Sequence, residues 1–184
     1  MSRQPDHPIH PLFLDRWSPR AFDETEMPEA DLHSMFEAAR WAPSASNTQP
    51  WRFLAGRCGE RAFDVLLAAL VPGNQAWARD AAALVLVAAE TADEEGTPRP
   101  WAVYDTGQAA GHLTAQATAL GLAVRQMGGF IPADLPALPA HVRPLVVIAV
   151  GVPLAADAIP ADHPAHRLGA RVRRPLDELL LGVA

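Results

Sequence analysis

The spacing of apolar residues along the chain predicts alternating helices and strands. Residues 32–39 and 63–70 carry apolar side chains at positions i, i+3, i+4 and i+7, which is the spacing of an amphipathic helix. The first of these helices is expected to start at Pro28, where acidic residues follow the proline, and to end at Pro43.

The strand predictions come from alternating and continuous apolar runs. Residues 51–55 alternate as a half-buried strand does, whereas residues 82–89 and 145–152 are continuously apolar and predict fully buried strands. Residues 122–127 fit either a strand or an extended loop. Residues 72–74, Pro-Gly-Asn, predict a break after the second helix.

A third predicted helix, residues 103–120, is unusually rich in small side chains. Gly107, Gly111 and several alanines would let another backbone approach closely, and Gly121 is suited to cap its end. The close approach could occur inside the core or across a subunit boundary, and both uses remain open at this point.

Length and composition indicate one globular domain, residues 1–184, with 49% hydrophobic residues and a net charge of −6. No long basic run offsets the acidity, so nucleic acid is not expected as a partner. The apolar runs are far shorter than the roughly 20 residues of a membrane span, and none is expected. The chain starts without a signal-peptide pattern and has one cysteine, Cys58, so we expect a cytoplasmic protein.

Several common site motifs are absent from the sequence. We find no GxGxxG after a strand, no GxxxxGK[ST] loop and no GxSxG elbow. His163 and His166 form the one tight histidine pair, beside Asp162 in a Pro-rich loop. A solvated loop explains them better than a metal site does, and no metal is predicted.

Basic and polar residues cluster in Arg16-Trp17-Ser18-Pro19-Arg20. Two guanidinium groups and a hydroxyl within five residues can hold a phosphate, because arginine presents a rigid fork of donors. Taken alone, the segment fits a solvated arm better than a phosphate site.

Four stretches together resemble the signature regions of the nitroreductase family: RWSPRAF, EAARWAPSASNTQPWRFL, GLAVRQMGGF and RVRRPLDELL, in this order. The resemblance implies an α+β, three-layer fold with a central mixed β-sheet flanked by helices. It also implies an intertwined homodimer with FMN in each of two clefts between the subunits.

The resemblance assigns cofactor-binding roles to each stretch. Arg16, Ser18 and Arg20 would approach the phosphate, ribityl chain and pyrimidine edge of FMN, and Arg171 and Arg173 would complete the phosphate site. The other residues counted with the site are Trp17, Pro43, Ser44, Ala45, Ser46, Asn47, Asn74, Met127, Gly128 and Gly129.

Within that set, residues 43–47 would come from the partner subunit, Asn74 would face the pyrimidine ring, and residues 127–129 would pass close to flavin N5. Trp17, Ala45 and Trp77 depart from the family pattern; a lysine is common at the last position in longer members. Trp41, Trp51, Trp101 and Tyr104 are expected to pack against other residues more than to contact ligand.

The function implied is an oxidoreductase in which NAD(P)H reduces FMN and the flavin reduces a small electron-poor acceptor, such as a nitroaromatic or a quinone. Bound flavin supplies the hydride chemistry, so no catalytic side chain is predicted. Arg20 is expected to stabilise the negative charge of the reduced flavin. Two alternatives are a protein that stores or senses FMN and an enzyme that consumes the flavin.

Overall fold

The computed structural model describes residues 5–167 and 171–182. Its helices are α1 (Pro11–Asp15), α2 (Glu29–Arg40), α3 (Arg61–Ala69), α4 (Pro72–Ala78) and α5 (Ala102–Ala119). Its strands are β1 (Trp51–Arg57), β2 (Ala83–Glu90), β3 (Ala123–Met127) and β4 (Val142–Gly151). None of the helices in these residues is long and apolar enough to cross a bilayer.

The four strands form one sheet in the order β1-β2-β4-β3. The α+β expectation is confirmed, but the expectation of a mixed sheet is wrong for the described residues, because all three strand pairs are antiparallel. The reason lies in the topology. Strands β2 and β3, which α5 connects, run in the same direction, and β4 inserts between them so that each strand bonds only to an antiparallel neighbour.

Both faces of the sheet are covered by helices, as the three-layer expectation requires. On one face Val85 and Ile148 pack with α2 and α5. On the other face Leu86 and Val147 pack with α3 and α4. Strand β2 is buried at all eight positions, which explains why its sequence is apolar without alternation.

Three local predictions need correction or completion. Residues 72–74 begin helix α4 instead of breaking the chain, because Pro72 occupies the first helical turn, where its missing N–H is harmless. Residues 123–127 are a strand, which decides between the two alternatives. The last predicted strand starts earlier than expected, at Val142.

The aromatic residues divide into two groups. Trp51 is buried, as expected. Trp41, Trp101 and Tyr104 are 72%, 62% and 68% exposed, so the packing predicted for them does not occur within one chain. The indole of Trp41 instead donates a hydrogen bond to Glu37 over 2.8 Å. These three side chains leave a large apolar area uncovered.

Candidate cofactor site

The segment 16–20 contacts β3, the strand at one edge of the sheet. Nη1 of Arg16 donates to Oγ of Ser18 over 3.0 Å. The carbonyl of Ser18 accepts a hydrogen bond of 2.7 Å from Nη1 of Arg125, in the middle of β3. Trp17 is partly buried in the same segment. The first signature region is therefore attached to the third by Arg125.

Helix α4 holds the glycine doublet that follows β3. Nδ2 of Asn74 donates to the carbonyl of Gly129 over 3.0 Å. A Cβ on Gly129 would lie 2.8 Å from that same Nδ2, so glycine is needed for this approach. A Cβ on Gly128 would meet nothing within 4 Å, and Gly128 is exposed, whereas Met127 is buried. The structure thus joins Asn74 to the doublet and leaves open space on the Gly128 side.

Arg20 and Arg125 lie close enough for their positive charges to interact, and Arg125 packs on Trp77, three residues after Asn74 in α4. Nε of Arg20 is buried without a hydrogen-bond partner among the described residues. The guanidinium of Arg125 lies over the ring of the fully buried Trp77, 5.5 Å from its centroid. Burial, and then the charge of Arg20, lower the pKa of Arg125. Within residues 5–167 and 171–182, neither guanidinium contacts a carboxylate.

A cavity of about 450 Å³ lies between segment 16–20 and α5. Arg16 and Ser18 line one side, and Gly111, Thr114 and Gln126 line another. Nε2 of Gln126 donates to Oγ1 of Thr114 over 3.2 Å. Sequence reasoning missed Arg125, Thr114 and Gln126. The signal that could have identified Arg125 and Gln126 is that they are two polar residues in the short strand of the GLAVRQMGGF stretch.

Arg171 returns from the far end of the chain to α1. Its guanidinium donates to the carbonyls of Phe13 and Leu14, each over 3.0 Å, and to that of Arg16. Arginine at this place satisfies carbonyls that a helix end leaves without partners. Its donors are thus engaged with backbone at the edge of the expected phosphate site.

Arg173 lies nearby but points to different partners. It is exposed, and its Nη1 donates to the carbonyl of Val172 over 2.9 Å. Together with Arg174 and Phe13 it lines a second cavity of about 710 Å³. Phe13 also lines the cavity beside Arg16, so the two cavities adjoin.

Residues 43–47, with the neighbouring 48–50, form an exposed loop in a strained conformation, which we call the Pro-Ser loop. Ser46, Asn47 and Gln49 have φ values of 52°, 55° and 47°, in the left-handed region that L-residues rarely adopt. Pro43 and Ala45 are exposed, and Ser44 is partly buried.

Three hydrogen bonds anchor the Pro-Ser loop. The N–H of Ala45 donates to Oδ2 of the buried Asp105 over 2.9 Å, and the N–H of Gln49 donates to Oγ of Ser44 over 3.0 Å. Nη1 of Arg52 donates to the carbonyl of Gln49 over 3.0 Å, and its Nη2 contacts Glu90.

The Pro-Ser loop lies away from the cavity of its own chain. Its anchor Asp105 is in the first turn of α5, and Gly111, the nearest residue of this helix that lines the cavity, is six residues further, about 9 Å along the helix. Among the described residues, none of positions 43–47 lines that cavity. One chain therefore presents its two sets of predicted cofactor residues in separate places.

The histidine pair in the loop after β4 has local partners. Nδ1 of His163 accepts from the N–H of Ala165, and Nε2 of His166 lies 2.9 Å from the carbonyl of Pro160. Among the described residues, no group of three or more His, Cys, Asp or Glu side chains is arranged to hold a metal ion.

Comparison with known proteins gives the family. A profile described as the nitroreductase family matches residues 14–62. An NADH dehydrogenase of Thermus thermophilus is 30% identical over 91% of this chain and 92% of its own length. The chain belongs to the nitroreductase family. A Streptomyces coelicolor member, provisionally named an NADH dehydrogenase/NAD(P)H nitroreductase, is 32% identical over 67% of this chain and 71% of its own.

Solved structures of other nitroreductase-family proteins share the fold. A crystal structure of an oxidoreductase containing FMN superposes with a TM-score of 0.87 and 35% identity, covering 97% of this chain and 93% of the other. A Desulfovibrio desulfuricans structure in complex with FMN gives a TM-score of 0.73 and 27% identity, covering 96% and 99%. These relatives identify the chain as a member of a family of oxidoreductases.

Proposed function

We propose that this nitroreductase-family protein is an FMN-dependent oxidoreductase that takes hydride from NAD(P)H and delivers it to small electron-poor acceptors such as nitroaromatics or quinones. One observation carries the proposal. Two partly buried guanidinium groups, those of Arg20 and Arg125, lie close enough to interact and contact no carboxylate among the described residues. Unpaired charges are costly to bury, so the arrangement favours a bound anionic group.

The residues present fit FMN. The buried Nε of Arg20 lacks a partner in the part of the chain that the structure describes, and the electron-rich N1–O2 edge of a flavin would supply one. Gly128 leaves room for a flat ring, because a Cβ at this position meets nothing within 4 Å. Relatives of the same fold contain FMN, one with a TM-score of 0.87, which supports this choice of cofactor.

Each group in the site has a distinct task in this proposal. Arg16 and Ser18 hold the phosphate and ribityl chain, and Arg173 approaches the phosphate from the adjoining cavity. Arg20 and Asn74 orient the pyrimidine edge, while the backbone at Gly128 lets the ring approach closely. Bound FMN supplies the hydride transfer at N5, and the protein contributes orientation, charge and a site protected from water.

We propose further that the working unit is a homodimer. The exposed face of α5 carries Tyr104, Gly107 and Gly111, and a Cβ on either glycine would meet nothing within 4 Å, so another backbone can approach there. A second chain would cover Trp41 and Trp101, which are large apolar side chains left exposed. The partner's copy of the Pro-Ser loop would then complete the cofactor site. Sedimentation that shows a stable FMN-loaded monomer would contradict this assembly.

The decisive experiment identifies the cofactor and locates its phosphate. We expect the purified protein to release FMN on denaturation, as chromatography would show. Arg16→Ala and Arg173→Ala should weaken FMN binding by about tenfold to a hundredfold, because each removes a charge-assisted hydrogen bond worth about 1.5–3 kcal/mol. Arg61→Ala, at an exposed position of α3, is the matched control.

Riboflavin separates phosphate binding from ring binding, since it lacks the phosphate. Its affinity should change little in the Arg16 and Arg173 variants; equal losses for both ligands would show that these arginines hold the ring or the fold. A protein that binds no FMN would refute the proposed function. NAD(P)H oxidation with an added quinone then tests turnover, and FMN binding without turnover would favour the storage or sensing alternative.

A further inference from the structure

We propose that Arg125 acts with Arg20 as one anion-binding pair that stabilises the negative charge of the reduced flavin and so raises its reduction potential. The inference rests on the proposed function and goes beyond it, because neither the family resemblance nor the sequence pattern assigns a cofactor role to Arg125. Four features of the structure point to that role: its position, its packing, its charge environment and its single hydrogen bond.

Arg125 faces helix α4, which carries Asn74 and Trp77. It lies on the edge strand β3, two residues before the Met127-Gly128-Gly129 stretch, and its neighbour Gln126 lines the cavity with Arg16. Strand alternation sends the two side chains to opposite faces of the sheet, so Arg125 is directed to the face that α3 and α4 cover. Helix α4 also carries Asn74, which holds Gly129.

The packing around Arg125 fixes its guanidinium and leaves it charged. Trp77, fully buried, provides the aromatic surface under it, at 5.5 Å from the ring centroid. A cation is attracted to the face of an indole ring without being neutralised. Trp77, which departs from the family pattern, is thus the residue on which the positive charge of Arg125 packs.

The charge environment favours an anionic ligand beside the pair. Among the described residues, the one hydrogen bond of Arg125 goes to the carbonyl of Ser18, and the guanidinium contacts no acidic side chain. Arg20 is near enough to lower the pKa of Arg125, which means that the two like charges repel each other in the absence of an anion. An anionic ligand edge between them removes this repulsion, and the gain is larger for the reduced flavin, which carries a full negative charge at N1–O2.

Sulfite binding measures this effect directly. Sulfite donates its lone pair to N5 of oxidised FMN; an S–N bond forms, the C4a=N5 π bond breaks, and its electron pair moves through the ring to leave a negative charge at N1–O2 without a net proton transfer. Positive charge near that edge tightens the complex. We expect Arg125→Gln to weaken sulfite binding to the FMN-loaded protein by about tenfold or more, and Arg125→Lys, which retains the charge, to remain closer to wild type.

The reduction potential gives an independent readout. For a two-electron couple, a tenfold change corresponds to about 30 mV, so Arg125→Gln should lower the midpoint potential of bound FMN by at least that amount. Arg143→Gln is the matched control, since Arg143 is exposed on the adjacent strand β4. Circular dichroism of each variant verifies that it is folded, and the lysine variant still tests the charge if the glutamine variant is unstable.

The possible outcomes separate this inference from the proposed function. Wild-type protein that binds no FMN would refute the function itself. Wild-type protein that binds FMN, with Arg125→Gln unchanged in sulfite affinity and potential, would overturn the inference alone. Equal losses in Arg125→Gln and Arg125→Lys would also overturn it, because they would show that the shape of arginine matters and its charge does not.

Discussion

Replacement of Asp105 by alanine should release the Pro-Ser loop. The loop holds Ser46, Asn47 and Gln49 at left-handed φ values, which cost about 1–2 kcal/mol each, or about 3–6 kcal/mol together. Against this stand one hydrogen bond between neutral groups, worth about 1 kcal/mol, and two that involve a charged group, the Asp105 carboxylate or the Arg52 guanidinium, worth about 1.5–3 kcal/mol each. The two sums are comparable, so the loss of one anchor should tip the balance.

The expected size of the effect follows from this near balance. Without the carboxylate, the native loop conformation becomes a minority of about 1–10%. Apparent FMN affinity falls in proportion to the competent fraction, by about tenfold to a hundredfold if the loop contacts flavin. Asp105→Asn retains an acceptor oxygen and should lose less. Asp64→Ala removes an exposed aspartate from the corresponding turn of α3 and should have no effect.

Two measurements on the same samples test this prediction. Hydrogen exchange should accelerate at the amides of residues 44–49 in Asp105→Ala, and a fluorescence titration should show weaker FMN binding. Unchanged exchange would refute the anchoring argument. Faster exchange with unchanged FMN affinity would refute the idea that the loop contacts flavin.

Three further predictions concern single positions. Gly128→Ala should leave the melting temperature of the apoprotein unchanged but weaken FMN binding, whereas Gly129→Ala should also lower that melting temperature, since its Cβ would lie 2.8 Å from Nδ2 of Asn74. Equal apoprotein melting temperatures for the two variants would contradict this difference. Gly56→Ala places a Cβ 2.2 Å from the backbone nitrogen of Phe63 in α3. The variant should lower the free energy of unfolding, measured by urea titration, by at least about 1–3 kcal/mol. The hydrogen bond from Arg40 lowers the pKa of Glu37 from 4.5 to about 2. The contribution of this hydrogen bond to stability is therefore complete above pH 4.5 and disappears as the pH falls through about 2. NMR titration of Arg40→Ala should show a higher pKa for Glu37.

The sequence predicted the elements better than it predicted their contacts. Helix α2 follows from its apolar spacing and its flanking prolines, and β2 from an uninterrupted apolar run. The antiparallel pairing did not follow, because nothing in the local pattern indicates that β4 inserts between β2 and β3. Which strands are neighbours depends on tertiary packing.

Contacts that depend on tertiary packing were also missed in the candidate site. Arg20 and Asn74 were identified from motifs, since their neighbours in sequence form recognisable stretches. Arg125 was missed, because its role depends on Trp77 and on the Ser18 carbonyl, which are distant in sequence. The hydrogen bonds of Arg171 to the end of α1 were likewise invisible, since a guanidinium suits a carbonyl and a phosphate equally.

The separation of about 9 Å along α5 between the anchor of the Pro-Ser loop and the cavity has a genetic consequence. Consider a mixed dimer of an Arg16→Ala chain and an Asp105→Ala chain. If each site combines Arg16 of one chain with the loop of the other, both defects fall on one site, and the second site is intact. Two inactive alleles would then complement each other when expressed together, and the mixed dimer would retain one tight FMN per two chains.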